Sequence, residues 1–343
     1  MSATLRATFR PWLRRSRRLV HGAMASAPLR GGLTLWHWPG EAVRILTYHS
    51  LGRDDEPLDA WTVVRRSDFL KQVDLLRTRF DIVDLDRALA GEPGPRPFAV
   101  LTFDDGHRGW VDHLLPIVRR ENLPVTLYVA TGHVETGQAY WFDRLMNTLQ
   151  VAAPARIDLS ARRMGMFTVG ESAGLDNWLC ISDLLERLKQ EPLDVREAVT
   201  DDIERQLRDA PRRAVEPICP LTPGEVRSLA DQPGITLGSH SHCHRLLDQI
   251  GVADALASID HSRSLLKAWT GRRVAHFAYP NGNHTAALAA GVERLGFASA
   301  ATSDHGVWSP GESRFAIRRL NVGRYDDLQR FAYQATYRRS SQG

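Results

Sequence analysis

Two short segments of this chain combine side chains that bind cations and move protons. Leu101-Thr102-Phe103-Asp104-Asp105-Gly106 sets adjacent carboxylates directly after an apolar run, and Ser239-His240-Ser241-His242-Cys243-His244 sets imidazoles four residues apart. Neighbouring carboxylates repel unless a cation lies against them; the other use of Asp-Asp-Gly is a turn that caps the next helix. Imidazoles spaced as in His240-x-x-x-His244 close on one ion from a turn or short helix. A carboxylate then completes a two-histidine, one-carboxylate set that keeps positions open for water and substrate, as a catalytic metal requires. His242 lies between them at an odd offset that turns it aside. Cys243 offers a thiolate alternative, which adjacent positions make awkward, and a surface histidine cluster is the competing explanation for this segment alone.

Such residues act only if the fold gathers them. From Arg44 onward, short runs of Val, Ile, Leu and Phe alternate with helical patterns. Strands are expected at Arg44–Tyr48, Asp81–Leu85, Phe98–Phe103, Pro124–Ala130, Gly234–Gly238, Val274–Tyr279, Phe297–Ala301 and Ile317–Val322. Most lack polar alternation, as strands buried on both faces do. Ser67–Phe80, Val252–Trp269 and Thr285–Leu295 carry apolar stripes at helical spacing. This rhythm predicts an α/β fold with a parallel sheet, open or closed into a barrel. It breaks at about 133–223, where no strand pattern is evident and Trp141–Leu149, Asp176–Gln190 and Asp194–Asp209 read as helices: a mainly helical insertion. Tyr48-His49, Asp104-Asp105, Ser239 to His244, Tyr279 to Gly282 and Asp304-His305 all fall at carboxyl ends of expected strands, the face on which α/β active sites assemble.

Composition narrows the setting. The chain has 343 residues, 43% of them hydrophobic and 24% charged, which suits a globular body. Its net charge of +4 is unevenly spread: the first 40 residues hold seven arginines and no acid, and without those seven, 37 basic residues face 40 acidic ones. A nucleic-acid partner is therefore not expected. Residues 1–40 read as a basic segment preceding a domain over 41–340. Leu5, Phe9, Trp12, Leu13 and Leu19 fall roughly on one side of it, so residues 1–20 are candidates for peripheral membrane contact. Three cysteines without a CxxC pair favour a reducing compartment. With no apolar stretch suited to a span or an export signal, the expected location is the cytoplasm, at the inner face of the membrane.

Thr102-Phe103-Asp104-Asp105-Gly106 together with His240-Ser241-x-x-His244 resembles the polysaccharide deacetylase family, the NodB-homology or carbohydrate esterase 4-like group. Leu46-Thr47-Tyr48-His49 and Phe277-Ala278-Tyr279-Pro280-Asn281-Gly282 are similar to strand ends of its bacterial exopolysaccharide branch. The resemblance implies a distorted (β/α) barrel of fewer than eight complete units. It implies metal ligation by Asp105, His240 and His244, with Zn2+ favoured and Co2+, Ni2+ or Mn2+ as alternatives, and Asp104 as catalytic base. It implies removal of N-acetyl or other small N-acyl groups from amino sugars of a polysaccharide or lipid-linked glycan, with a backbone N–H near Tyr279 stabilising the oxyanion. The alternatives are a deformylase or other non-peptide C–N hydrolase on the same scaffold, and a weakly catalytic glycan-binding protein. The usual arginine-proline and late leucine-x-x-histidine motifs of the family are missing. Arg319 on the last strand is the expected replacement for orienting the base. His305 is the expected acid, with His49 and His284 as rivals. His49, Pro280, Gly282 and Trp141 are expected substrate contacts; the alternative for Trp141 is an ordinary buried helix face with Leu145.

Overall fold

The computed structural model describes residues 42–92 and 94–337; the arginine-rich segment and its expected membrane contact lie outside them. In chain order the strands are β1 (Arg44–Tyr48), β2 (Ser50–Gly52), β3 (Val63–Arg65), β4 (Asp81–Ile82), β5 (Phe98–Phe103) and β6 (Val125–Val129). They continue with β7 (Ala155–Leu159), β8 (Gly165–Val169), β9 (Ile235–Ser239), β10 (His276–Ala278), β11 (Ser299–His305) and β12 (Ile317–Asn321). Seven of these pair in the order β1, β12, β11, β10, β9, β6, β5, all parallel, and β1 pairs back onto β5 to close a barrel. The short β4 adds to the start of β5. The fold is thus a distorted (β/α) barrel of the NodB-homology type.

Strand alternation divides the core in two. Leu46, Tyr48, Leu101, Phe103, Leu127 and Val129 pack outward with Phe69, Val73 and Leu76 of helix Arg66–Arg77 and with Ile259 and Leu266 of helix Val252–Thr270. Their neighbours Ile45, Val100, Tyr128, Ala278 and Ile317 form a separate cluster on the opposite face. Continuing the same period-2 count up each strand brings His49, Asp104, His240 and Arg319 to that inner side. Helix Arg66–Arg77 has the N–H of Ser67 in its first turn accepted by Asp54 Oδ1 at 2.8 Å.

The segment between β6 and β9 holds helix Thr131–Thr136, whose Val134 joins the main core, and helices Trp141–Thr148, Leu175–Leu188 and Leu193–Gln206 around a separate apolar cluster. It also contains an antiparallel hairpin of β7 and β8, absent from the sequence reading. The signal was present: in Ala155–Leu159, Ile157 and Leu159 are buried while Arg156 and Asp158 face solvent. Five residues of alternation among long helical patterns were too few to stand out. Among the described residues, no helix is long and apolar enough to cross a membrane.

Candidate active site

Asp104 follows β5 and is held by Arg319 of β12. The guanidinium donates to Asp104 Oδ1 at 2.8 Å and Oδ2 at 2.6 Å, and also to Thr102 Oγ1 at 3.1 Å and Thr302 O at 2.7 Å. Its carbon lies 5.6 Å from the Tyr128 ring centroid. That ring occupies the barrel interior because its register partner on β9 is Gly238, where a Cβ would collide with it. A glycine on one strand thus makes room for the tyrosine against which the arginine packs. Burial pushes the Asp104 carboxyl up, but Arg319, and then His240, outweigh it and hold the group below the usual carboxylate range.

Asp105 adopts φ 85°, which swings its carboxylate toward the β9 loop. Its Oδ1 lies 3.1 Å from His244 Nε2 and 3.4 Å from His240 Nε2. His240 Nδ1 lies 2.7 Å from Ala278 O, a contact that places the ring proton on Nδ1 and leaves the Nε2 lone pair facing Asp105. His244 and Ser241 also have positive φ, 49° and 64°, and the His244 N–H donates to Ser241 Oγ at 3.1 Å. Four of the six described non-glycine residues with positive φ, Asp105, Ser241, His244 and Asn281, lie in these two loops and the one after β10. Strain of this kind persists only where surrounding structure enforces it.

Burial pushes the Asp105 carboxyl up, yet the His240 and His244 rings packed against it hold it well below the usual range; burial lowers His244, against the pull of Asp105. One ionised carboxylate and two Nε2 atoms, all within 4.8 Å of one another, form a donor set that fits a divalent transition metal.

The remaining expected site residues are distributed less uniformly. His49 follows β1, with its carbonyl fixed by Trp110 Nε1 at 2.6 Å and its ring 5.8 Å from Trp61. Burial lowers its pKa, while Asp105 and then Asp104 pull it up, so its ring lies in the field of both carboxylates. Its Nδ1 is buried without a hydrogen-bond partner among the described residues. His305 ends β11 in register with Arg319. His284 stacks on Tyr279 at 5.1 Å.

Two expectations need correction. The Tyr279 N–H is donated to Ala301 O at 2.9 Å as part of the sheet, so it has no proton to offer an oxyanion. Pro280 and Gly282 are buried in the loop after β10, and a Cβ at Gly282 would overlap Ser303. Trp141 packs on the insertion's own core beneath Arg196, 5.8 Å from its ring centroid. The aromatic rings beside His244 are instead those of Tyr140, at 4.8 Å, and Phe142, at 5.5 Å.

The sequence reading missed Tyr140 and His107, which border Asp105, and the tie of His107 to Asp143. Tyr140 Oη donates to Asp105 O at 2.5 Å. His107 Nε2 lies 2.9 Å from Asp143 Oδ2 and 3.8 Å from Asp105 Oδ2. Burial lowers His107, but Asp143 and Asp105 raise it further, so their net effect is upward. The insertion thus braces the Asp105 turn from both its ends, since Gly106 O also accepts the Leu221 N–H at 2.8 Å. Gly106-His107 and Tyr140 to Asp143 were visible in sequence, but only a contact across 36 residues unites His107 with Asp143.

Comparison with known proteins agrees with this architecture. The Streptococcus pyogenes deacetylase PplD in complex with acetate superposes with a TM-score of 0.57 at 16% identity, over 86% of this chain and 98% of that one. The IcaB structure from Ammonifex degensii gives 0.56 at 17% identity, over 88% and 99%. A de-N-acetylase from Aggregatibacter actinomycetemcomitans gives 0.54 at 12%, over 86% and 100%. At these identities the likeness is one of fold. Among curated proteins no sequence matches the chain. The sequence profile of the polysaccharide deacetylases matches residues 91–300, a span that includes Asp104, Asp105, His240 and His244. The chain therefore belongs to the polysaccharide deacetylase family and is a hydrolase of carbon–nitrogen bonds other than peptide bonds.

Proposed function

We propose that the protein is a metal-dependent N-deacetylase of amino sugars in a polysaccharide or lipid-linked glycan. The observation that carries this reading is the convergence of Asp105, His240 and His244 beside an arginine-clamped Asp104. Asp105 Oδ1 and the two Nε2 atoms would hold the ion. When bound, a divalent metal polarises an amide carbonyl and lowers the pKa of water, to about 7 in favourable zinc sites.

The rest of the chemistry falls to the chain. Asp104, kept ionised and aimed by the two bonds from Arg319, takes the proton of the attacking water. Oxyanion stabilisation needs an N–H not used by the fold. Tyr279, Gly282 and Asn283 donate theirs to Ala301, Tyr279 and Pro280, and Pro280 has none, which leaves Asn281 as the donor of this loop. The departing amine needs a proton. We assign that step to His49, in place of His305, because His49 follows β1 on the same inner side of the barrel as Asp104, and its Nδ1 is buried without a hydrogen-bond partner among the described residues. Phe142 beside His244 offers an aromatic face of the kind that packs against apolar sugar faces. The acetate in the PplD structure supports acetyl as the acyl group.

Acetate release from N-acetylglucosamine oligomers, measured with the metal-stripped protein and after adding Zn2+ or Co2+, tests this reading. Release that appears with metal and is abolished by His49→Ala is expected. Equal release with and without metal refutes the metal dependence, and release of formate but not acetate refutes the acyl group.

A further inference from the structure

A second group of ligating side chains converges on another side of the loop that carries His240 and His244. Glu135 of helix Thr131–Thr136, His242 of the loop and His261 of helix Val252–Thr270 each place a ligating atom within 4.8 Å of the others. The two rings stand 4.6 Å apart at 74°. His242 Nδ1 lies 3.1 Å from Thr131 Oγ1, which fixes the ring and leaves Nε2 for a ligand. A partner on the distal nitrogen is the usual companion of a metal-binding imidazole.

The surrounding backbone is built to hold this arrangement. Gly132 donates its N–H to His242 O at 2.8 Å, and a Cβ on Gly132 would come within 2.6 Å of that oxygen. The His242 N–H donates to Ser258 Oγ at 3.2 Å, and Ser258 precedes His261 by one helical step of three, on the same face. The His242 offset from His240 and His244, which turns it away from Asp105, is what brings it to this second cluster.

We propose that Glu135, His242 and His261 form a second site for a divalent transition metal, distinct from the one at Asp105. Two imidazole nitrogens and one carboxylate suit Zn2+, Co2+, Ni2+ or Cu2+ and disfavour Mg2+ and Ca2+. Glu135 and His261 are exposed, so this site fills directly from solvent and keeps coordination positions open. An ion here ties helices Thr131–Thr136 and Val252–Thr270 to the short segment between His240 and His244. It is a clamp on the loop, and it requires nothing of the catalytic roles assigned above.

The test is zinc content of the whole protein, stripped of metal and then dialysed against buffered free Zn2+. Wild type is compared with Asp105→Ala, His261→Ala, Glu135→Gln and the Asp105→Ala/His261→Ala double variant. We expect wild type to hold one equivalent more than His261→Ala or Glu135→Gln, Asp105→Ala to keep that equivalent, and the double variant to hold none. Co2+ absorption in Asp105→Ala, lost on adding His261→Ala, gives an independent readout of the same site. The proposal is overturned if wild type and His261→Ala take up equal zinc while their metal-free melting temperatures agree. It is also overturned if the extra equivalent disappears with Asp105→Ala but survives both surface variants.

Discussion

Removing the Arg319 guanidinium should both raise the pKa of Asp104 and weaken the barrel. Arg319 and Asp104 side chains are 1% and 5% exposed, and their bonds are 2.8 and 2.6 Å long. An opposite charge this close typically lowers a carboxyl pKa by about 1–3 units, each worth about 1.4 kcal/mol. Burial opposes it and is left alone once the arginine is gone. In wild type the folded-state pKa lies below the unfolded one, near 3.9, so the pair's stabilisation is present above that value and lost as the pH falls through the folded value. In Arg319→Met the folded pKa rises above the unfolded one, and Asp104 destabilises the fold near neutrality instead. We expect the acid limb of kcat/KM to move up by about 1–3 pH units and unfolding stability to fall by about 3–5 kcal/mol, the usual cost of orphaning a buried charge. Arg319→Lys, which keeps the charge but loses the fork, should recover part of the pH shift. Acetate release across about pH 5–9 and urea unfolding measure the two effects. A variant with the wild-type acid limb and the wild-type midpoint would refute the reasoning.

Other expectations follow from the same geometry. Asp104→Asn should lower turnover by about 10²–10⁴-fold while zinc content stays at the wild-type level; retained activity would sink the assignment of the base. Asp143→Asn removes the carboxylate that holds His107 beside Asp105, and should weaken metal affinity about 10–100-fold in competition with a chelator, whereas an unchanged affinity would make that pair merely structural. His276 is buried between Ser299 Oγ at 2.9 Å and Asp86 Oδ1 at 3.2 Å, and burial holds its pKa below 6.5. Its neutral form therefore favours the fold above about pH 6.5, and stability falls by up to about 1.4 kcal/mol per pH unit as only the unfolded chain takes up the proton. His276→Gln should flatten that slope in urea midpoints measured across the same range, and an unchanged slope would place the effect elsewhere.

The chemistry-bearing residues were legible because buried parallel strands announce themselves as continuous apolar runs. Phe98–Phe103 was read with the bounds the structure has, and so was Arg44–Tyr48. The polar residues that end such strands fall on one face by the topology itself, and this drew Asp104, Asp105, His240 and His244 together before any coordinates. Arg319 was legible for the same reason, as the one basic residue of β12 whose alternation points inward with Ile317. The hairpin of β7 and β8 was harder to see because only one of its faces is buried, so it lacks that apolar run.

What the sequence could not settle are matters of which partner a group finds. Whether the Tyr279 amide is free depends on β11 lying alongside, and it is spent on Ala301. Which partner Asp143 finds depends on where the insertion docks, and it meets His107. The triad itself needed a positive φ at Asp105, which no local pattern signals in a non-glycine residue. Sequence fixes residue type and periodicity, and with them the face on which a side chain emerges. Hydrogen-bond partners, backbone strain and the field at each titratable group are set by elements distant in the chain, and only the tertiary structure brings those elements into contact.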